Sequence, residues 1–289
     1  MKYGIYYAYW EKEWKADYIP YVKKVKELGF DILEIGCAFL PSMSDEYLQK
    51  LREEAEKWGV RLTGGYGPAP EHNIASADPA VVKAAFANYE KTFQKMKVAG
   101  MKKIGGGLYS YWPVDYSKPI DKQGDLARSI ANVRELGDMA AAYDITLGME
   151  VLNRFEGYLL NICDEGLEFV TKVDRPNVKL MLDTFHMNIE EDAFGDAIRK
   201  AGNWLGHFHV GEANRRPPHA GGRIPWEEIG RALHDIGYDG DVVMEPFVQM
   251  GGQVGSDIKV WHPMLSEETM EKMDADVAAS VKFLRGSWG

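Results

Sequence analysis

The feature that most constrains this chain is a rhythm. A short apolar, often β-branched run gives way to a longer amphipathic stretch, then another short run follows, and the pattern spans most of the 289 residues. Strands are predicted at Tyr3–Ala8, Ile32–Gly36, Arg61–Gly65, Lys103–Gly106, Thr146–Val151, Val178–Asp183, Leu205–Val210 and Asp241–Glu245. Strands that alternate with helices pair in parallel, because a parallel neighbour is reached only through a long crossover. Eight such units at this length predict a single-domain (β/α)8 TIM barrel over residues 1–289, ahead of an open doubly wound sheet. A dinucleotide site is disfavoured. The glycine cluster that follows a strand, Gly105-Gly106-Gly107, lacks the G-x-G-x-x-G spacing.

Helices fill the gaps. Tyr18, Tyr21, Val22, Val25 and Leu28 share one helical face, as do Leu48, Leu51, Ala55 and Trp58, with Gly59 as a stop. Asp78-Pro79 reads as an N-cap followed by proline at the first helical position. Later helices are predicted over Asp192–Ala201, Pro225–Ile236 and Glu268–Leu284.

Composition narrows the function classes. With 34 basic and 44 acidic side chains the net charge is −10, without the basic footprint that nucleic acid requires. No apolar run reaches the roughly 18 residues of a membrane helix. Met1-Lys2-Tyr3 leads directly into a predicted strand, so no secretory leader is expected and the chain reads as cytoplasmic. Cys37 and Cys163 are too few for a disulfide framework and are expected to be buried free thiols.

Barrel chemistry gathers at the C-terminal ends of the strands. The polar residues closing four consecutive runs are Glu150, Asp183, His209 and Glu245. Each would be costly to bury alone, and together they would repel unless a cation joined them. Three carboxylates and an imidazole make an oxygen-rich site suited to Mn²⁺, Mg²⁺ or Co²⁺, with Zn²⁺ also open to it. The plainer alternative for each is a strand-end polar group bonded to a loop backbone. Glu156, His186 and Arg215 follow these strands and are candidates to bind a polar ligand, although a loop charge is more often merely solvated. His207 is expected to point to the opposite side of the sheet from His209, as a structural histidine. Tyr6, Trp14, Tyr66, Trp112 and Phe247 fall at or beyond strand ends, where aromatic faces pack either on a sugar or on the rim.

At this point a resemblance enters. The N-terminal MKYGIYYAYW, the segments Gly148-Met-Glu150-Val-Leu-Asn-Arg-Phe-Glu156 and Met181-Leu-Asp183-Thr-Phe-His186, Gly206-His-Phe-His209 and Met244-Glu245-Pro-Phe247 closely resemble the D-psicose (D-allulose) 3-epimerases. These group with the D-tagatose 3-epimerases in the xylose-isomerase-like barrel superfamily. The resemblance runs from Tyr3 to about Asp276. It implies a metal-dependent ketose 3-epimerase acting on a free ketohexose, interconverting D-fructose and D-psicose through a metal-stabilised enediolate. It further implies Glu150, Asp183, His209 and Glu245 as metal ligands, with Mn²⁺ or Co²⁺ typical. Glu150 and Glu245 would form the acid–base pair, with Glu245 deprotonating D-psicose and Glu150 D-fructose. Glu156, His186 and Arg215 would bind the O1–O3 end of the sugar. Tyr6, Trp14, Tyr66, Trp112 and Phe247 would line the apolar side, and a homodimer or homotetramer is expected.

Two stretches depart from the family pattern. The loop Arg215–Arg223 is one residue longer, which bears on closure over substrate. The segment His262-Pro-Met-Leu-Ser after Trp261 bears on oligomer contacts. An aldose–ketose isomerase on the same barrel is the nearest rival. Other ketoses, a phosphorylated sugar held by Arg215 and Arg216, a barrel endonuclease and a sugar-binding protein stand further off.

Overall fold

In the computed structural model, which describes residues 1–265 and 269–288, the eight strands close on themselves in sequence order. They are β1 (Lys2–Tyr6), β2 (Ile32–Gly36), β3 (Arg61–Gly65), β4 (Lys103–Gly106), β5 (Thr146–Glu150), β6 (Val178–Asp183), β7 (Leu205–Val210) and β8 (Asp241–Met244). All pairings are parallel, and β1 meets β8 to seal the ring. The fold is a (β/α)8 TIM barrel, as the alternation of runs predicts.

The surrounding helices among the described residues are α1 (Ile19–Glu27), α2 (Asp45–Trp58), α3 (Pro79–Val98), α4 (Lys122–Ala141), α5 (Cys163–Val173), α6 (Thr184–Glu190), α7 (Phe194–Ala201), α8 (Trp226–Asp235), α9 (Gly252–Ile258) and α10 (Met270–Trp288). Local chemistry explains their ends. The Asp78 side chain accepts from the Ala80 N–H at 2.8 Å and caps α3, with Pro79 in the first turn. Gly59 ends α2 at φ 61°, a conformation that glycine adopts without steric cost.

Some boundaries move. The first strand ends at Tyr6 rather than Ala8, because Tyr7–Trp10 turns into a buried 3₁₀ segment whose Tyr9 hydroxyl donates to the Met273 carbonyl at 3.1 Å. The last predicted helix opens at Glu268, which lies outside the described residues, and it runs past Leu284 to Trp288. Trp288 explains the extension. Its indole N–H donates to the Trp226 carbonyl at 2.7 Å and its ring packs on Trp226, so tertiary packing carries the helix through Arg285-Gly286-Ser287. Cys37 and Cys163 are free and buried. No helix among the described residues is long and apolar enough to cross a membrane.

Inside the barrel the strand period of two sorts the side chains into layers. Asp241 and Lys103 form the floor, with a 2.7 Å ion pair. Glu34, Met181 and His207 fill the middle. Gly105 makes room there, since a Cβ at this position would meet the Met181 Sδ at 2.5 Å. The last layer is acidic and opens to the mouth.

Candidate active site

The mouth layer follows from register. Asp183 pairs directly with His209 across β6 and β7, and Glu150 pairs with Met181 across β5 and β6. Glu245 follows the last residue of β8, with its N–H on the Val210 carbonyl at 3.1 Å. One ligand atom from each of Glu150, Asp183, His209 and Glu245 lies within 4.8 Å of the others. The four residues proposed from strand ends therefore meet at one point, and three of them are buried.

Arg215 is the cation that holds this acidic layer together. Its Nη1 donates to Asp183 Oδ2 at 2.9 Å and to Glu245 Oε2 at 2.8 Å. Its Nη2 lies 3.6 Å from Glu156 Oε1. The guanidinium stacks 3.8 Å from the Phe185 ring centroid, and its backbone takes a left-handed φ of 61°. A non-glycine residue held there is strained by of order 1–3 kcal/mol. The loop supports that conformation. The Glu212 carboxylate accepts from the N–H groups of His219 and Arg223 and from the Trp226 indole, and the Phe247 N–H donates to the Arg215 carbonyl at 2.9 Å. The longer loop is thus tied down beyond Arg215, and Arg215 itself reaches the acids.

Electrostatics follow from burial. The Glu150 carboxyl is pushed well above the ordinary carboxylate range by burial and then by the neighbouring Glu245. His186 is pushed down to about 3 by burial and by Arg215, so its ring is neutral at pH 7. The Asn153 backbone N–H donates to His186 Nδ1 at 3.1 Å, which assigns the ring proton to Nε2. That Nε2 faces Glu150 Oε1 at 3.6 Å and Asp183 Oδ2 at 3.9 Å.

A cavity of about 250 Å³ opens above the acids. Tyr6, Trp14, Tyr66, Trp112 and Phe247 all line it, as do Glu156, His186 and Arg215. Trp14 meets Trp112 and Phe247 edge-on at 5.9 and 6.0 Å, and its indole N–H donates to Asp257 Oδ2 at 2.7 Å. The five aromatics and three loop residues singled out as ligand-binding candidates all reach this pocket, whereas Arg216, the second arginine considered for a phosphorylated sugar, is exposed and does not line it.

One expectation is overturned. His207 does not point to the opposite side from His209. Residues two apart share a face of a strand, so both imidazoles lie inside the barrel, with ring centroids 5.1 Å apart. Sequence reasoning also missed Glu34, which accepts from Thr63 Oγ1 at 2.8 Å and contacts His209 Nε2 at 2.6 Å. The signal is an acid in the middle of the apolar run Ile32-Leu-Glu-Ile-Gly rather than at its end. Asn153, which holds His186, carried no such signal.

The donor set fits a divalent cation. Three carboxylates converge with one imidazole nitrogen, His209 Nδ1, that is buried and has no hydrogen-bond partner. A protein seldom leaves such an atom without a use.

Comparison with known proteins agrees with this geometry. Residues 22–271 match the family model of the xylose isomerase-like TIM barrel. The chain is 54% identical over 285 residues to the D-psicose 3-epimerase of Ruminiclostridium cellulolyticum, covering 99% of this chain and 97% of the relative. It is 52% identical over 291 residues to the D-psicose 3-epimerase of Enterocloster bolteae, covering 100% and 96%. The crystal structure of D-psicose 3-epimerase with D-tagatose from Clostridium cellulolyticum H10 superposes with a TM-score of 0.98 at 53% identity, over 100% of this chain and 99% of that one. Fold, acidic mouth and sequence together define a carbohydrate epimerase on a xylose isomerase-like TIM barrel. Within that family the chain belongs to the D-psicose 3-epimerases, and its activity class is ketose 3-epimerisation.

Proposed function

We propose that the chain is a metal-dependent 3-epimerase that interconverts free D-fructose and D-psicose, with Glu150 and Glu245 as its acid–base pair. The observation that carries this reading is their convergence: carboxylates from β5 and β8 reach within 4.8 Å of each other at the foot of an aromatic-walled pocket. Inverting C3 requires removing a proton beside the C2 carbonyl and returning one to the other face. Two carboxylates placed around one carbon do this without turning the sugar over. Glu245 serves D-psicose and Glu150 serves D-fructose.

Glu150, Asp183, His209 and Glu245 would hold the divalent cation, Mn²⁺ or Co²⁺ with Mg²⁺ within range, and it would stabilise developing negative charge on the sugar oxygens by several kcal/mol. Arg215, Glu156 and the neutral His186 orient the hydroxyls at the O1–O3 end. His186 offers its Nε2–H as the donor there. The five aromatics pack on the C–H faces and exclude water from the reacting carbon. A charge of −10 and a pocket of this kind suit a small neutral sugar better than nucleic acid.

The test is incubation of Mn²⁺-loaded protein with D-fructose in D₂O, followed by NMR. D-psicose carrying deuterium at C3 is the expected result. An aldose product with deuterium at C1 or C2 would overturn it in favour of an isomerase. Binding without any exchange, across a panel of ketoses, would point to a sugar-binding protein.

A further inference from the structure

The middle layer of the barrel contains a charge that the acid–base pair does not use. Glu34 is 1% exposed, and of its two oxygens one faces each neighbouring histidine. Oε1 is 2.6 Å from His209 Nε2. Oε2 accepts from Thr63 Oγ1 and lies 2.9 Å from His207 Nε2, out of line for a hydrogen bond. Burying a carboxylate here carries a desolvation cost that an apolar residue of the same volume would not. The carboxylate therefore does something for a neighbour.

The neighbour is His209. An imidazole that gives one N–H to a carboxylate has the lone pair of its other nitrogen free. His209 commits Nε2 to Glu34, and its buried Nδ1 has no hydrogen-bond partner and lies 3.6 Å from Glu245 Oε2. Glu34 is itself braced from the neighbouring strand by Thr63, its register partner across β2 and β3, and the His207 ring packs against the His209 ring at 61°. The contact spans 175 residues of sequence, so it exists only in the closed barrel.

We propose that Glu34 is a positioning residue that fixes the orientation and tautomer of the His209 ring, presenting Nδ1 to the three mouth carboxylates. This rests on the reading that Glu150, Asp183, His209 and Glu245 hold a divalent cation. Glu34 touches neither cation nor sugar; it acts through the His209 ring.

The experiment titrates metal-stripped full-length protein with Mn²⁺ and follows free Mn²⁺ by electron paramagnetic resonance. If the native protein fails to bind, the metal reading itself falls. If it binds one equivalent, Glu34→Gln is expected to weaken Mn²⁺ affinity by about 10–100-fold, the usual effect of removing a carboxylate behind a ligating histidine. The KM for D-fructose at saturating Mn²⁺ should stay within about twofold of native, a split that general loss of structure would not produce. Native-like Mn²⁺ affinity in a folded Glu34→Gln protein overturns the proposal. So does a second equivalent of Mn²⁺ that disappears in this variant, since Glu34 would then be a ligand. Should Glu34→Gln not fold, Thr63→Val removes the brace and leaves all four ligands in place. It is expected to weaken Mn²⁺ by about 2–10-fold, one net hydrogen bond's worth, and an unchanged affinity there counts equally against the proposal.

Discussion

At the floor of the barrel Asp241 is 2% exposed, and Lys103 Nζ meets it at 2.7 Å while Arg61 meets its other oxygen. Four residues further along, at the mouth, Glu245 shares one arginine with Asp183, and Glu150 stands beside them with no such partner of its own. Both ends place acids on the inner face, and a two-residue period makes Asp241 and Glu245 point the same way. The floor gives its acid two cations and asks nothing of solvent or ligand. The mouth gives three acids one cation and leaves His209 Nδ1 unbonded. Buried charge that the protein neutralises itself is architecture, whereas buried charge left short of partners is a place for something else.

The sharpest way to break this contrast is to neutralise the mouth acids one at a time. Glu150→Gln and Glu245→Gln are each expected to lower kcat on D-fructose by at least about 10²–10⁴-fold, the usual worth of a positioned base. Product NMR reads this, and circular dichroism should show the fold intact. Near-native turnover in either variant would refute the two-carboxylate scheme. At the floor the opposite result is expected. Asp241→Asn should cost about 3 kcal/mol in urea unfolding, the low end for breaking a buried ion pair, because Lys103 and Arg61 retain a route to water. The response to metal should be untouched: Mn²⁺ at 100 times its Kd adds about 2.7 kcal/mol to native and Asp241→Asn proteins alike. A floor variant that lost this increment would show that the two ends are coupled.

Arg215 is where the mouth comes closest to self-neutralisation. Arg215→Lys keeps the charge but loses the planar fork and the 3.8 Å stack on Phe185. We expect kcat/KM for D-fructose to fall by about 10–100-fold, with stability changed by less than the floor variant. A Lys variant with native kcat/KM would mean that charge alone suffices there.

The same contrast explains what could be read from sequence. All eight strands were visible because parallel strands buried on both faces are near-continuous apolar runs, and the polar residue ending a run stands out against them. That is why Glu150, Asp183, His209 and Glu245 were legible. Glu34 was not, although it too interrupts an apolar run, because its purpose depends on a partner in β7. The short α6 was hidden because its N-cap is Asp183, already assigned to the end of β6 and to the acid cluster. The short α9 escaped because Gly252-Gln-Val-Gly carries no strong helical periodicity, and it is held from outside by the Lys12 carbonyl on the Val254 N–H. The expectation for His207 ran against the period itself, since residues two apart on a strand share a face.

The smallest expected effect concerns the mouth's neutral histidine. His186 is held at about 3 in the folded protein against 6.5 when exposed, by burial first and then by Arg215. Between those values the unfolded chain binds a proton that the folded chain refuses. Stability is therefore full above pH 6.5 and declines as pH falls toward 3, by up to about 1.4 kcal/mol per pH unit from this group. The sign is that of a base buried neutral. Urea unfolding of metal-free native and His186→Gln proteins at pH 7, 6 and 5 reads it as the difference between the two. The two proteins should converge as pH falls, with the native losing more. Parallel curves would mean that the folded mouth lets His186 take up its proton as readily as the unfolded chain does, and the contrast between the two ends would weaken accordingly.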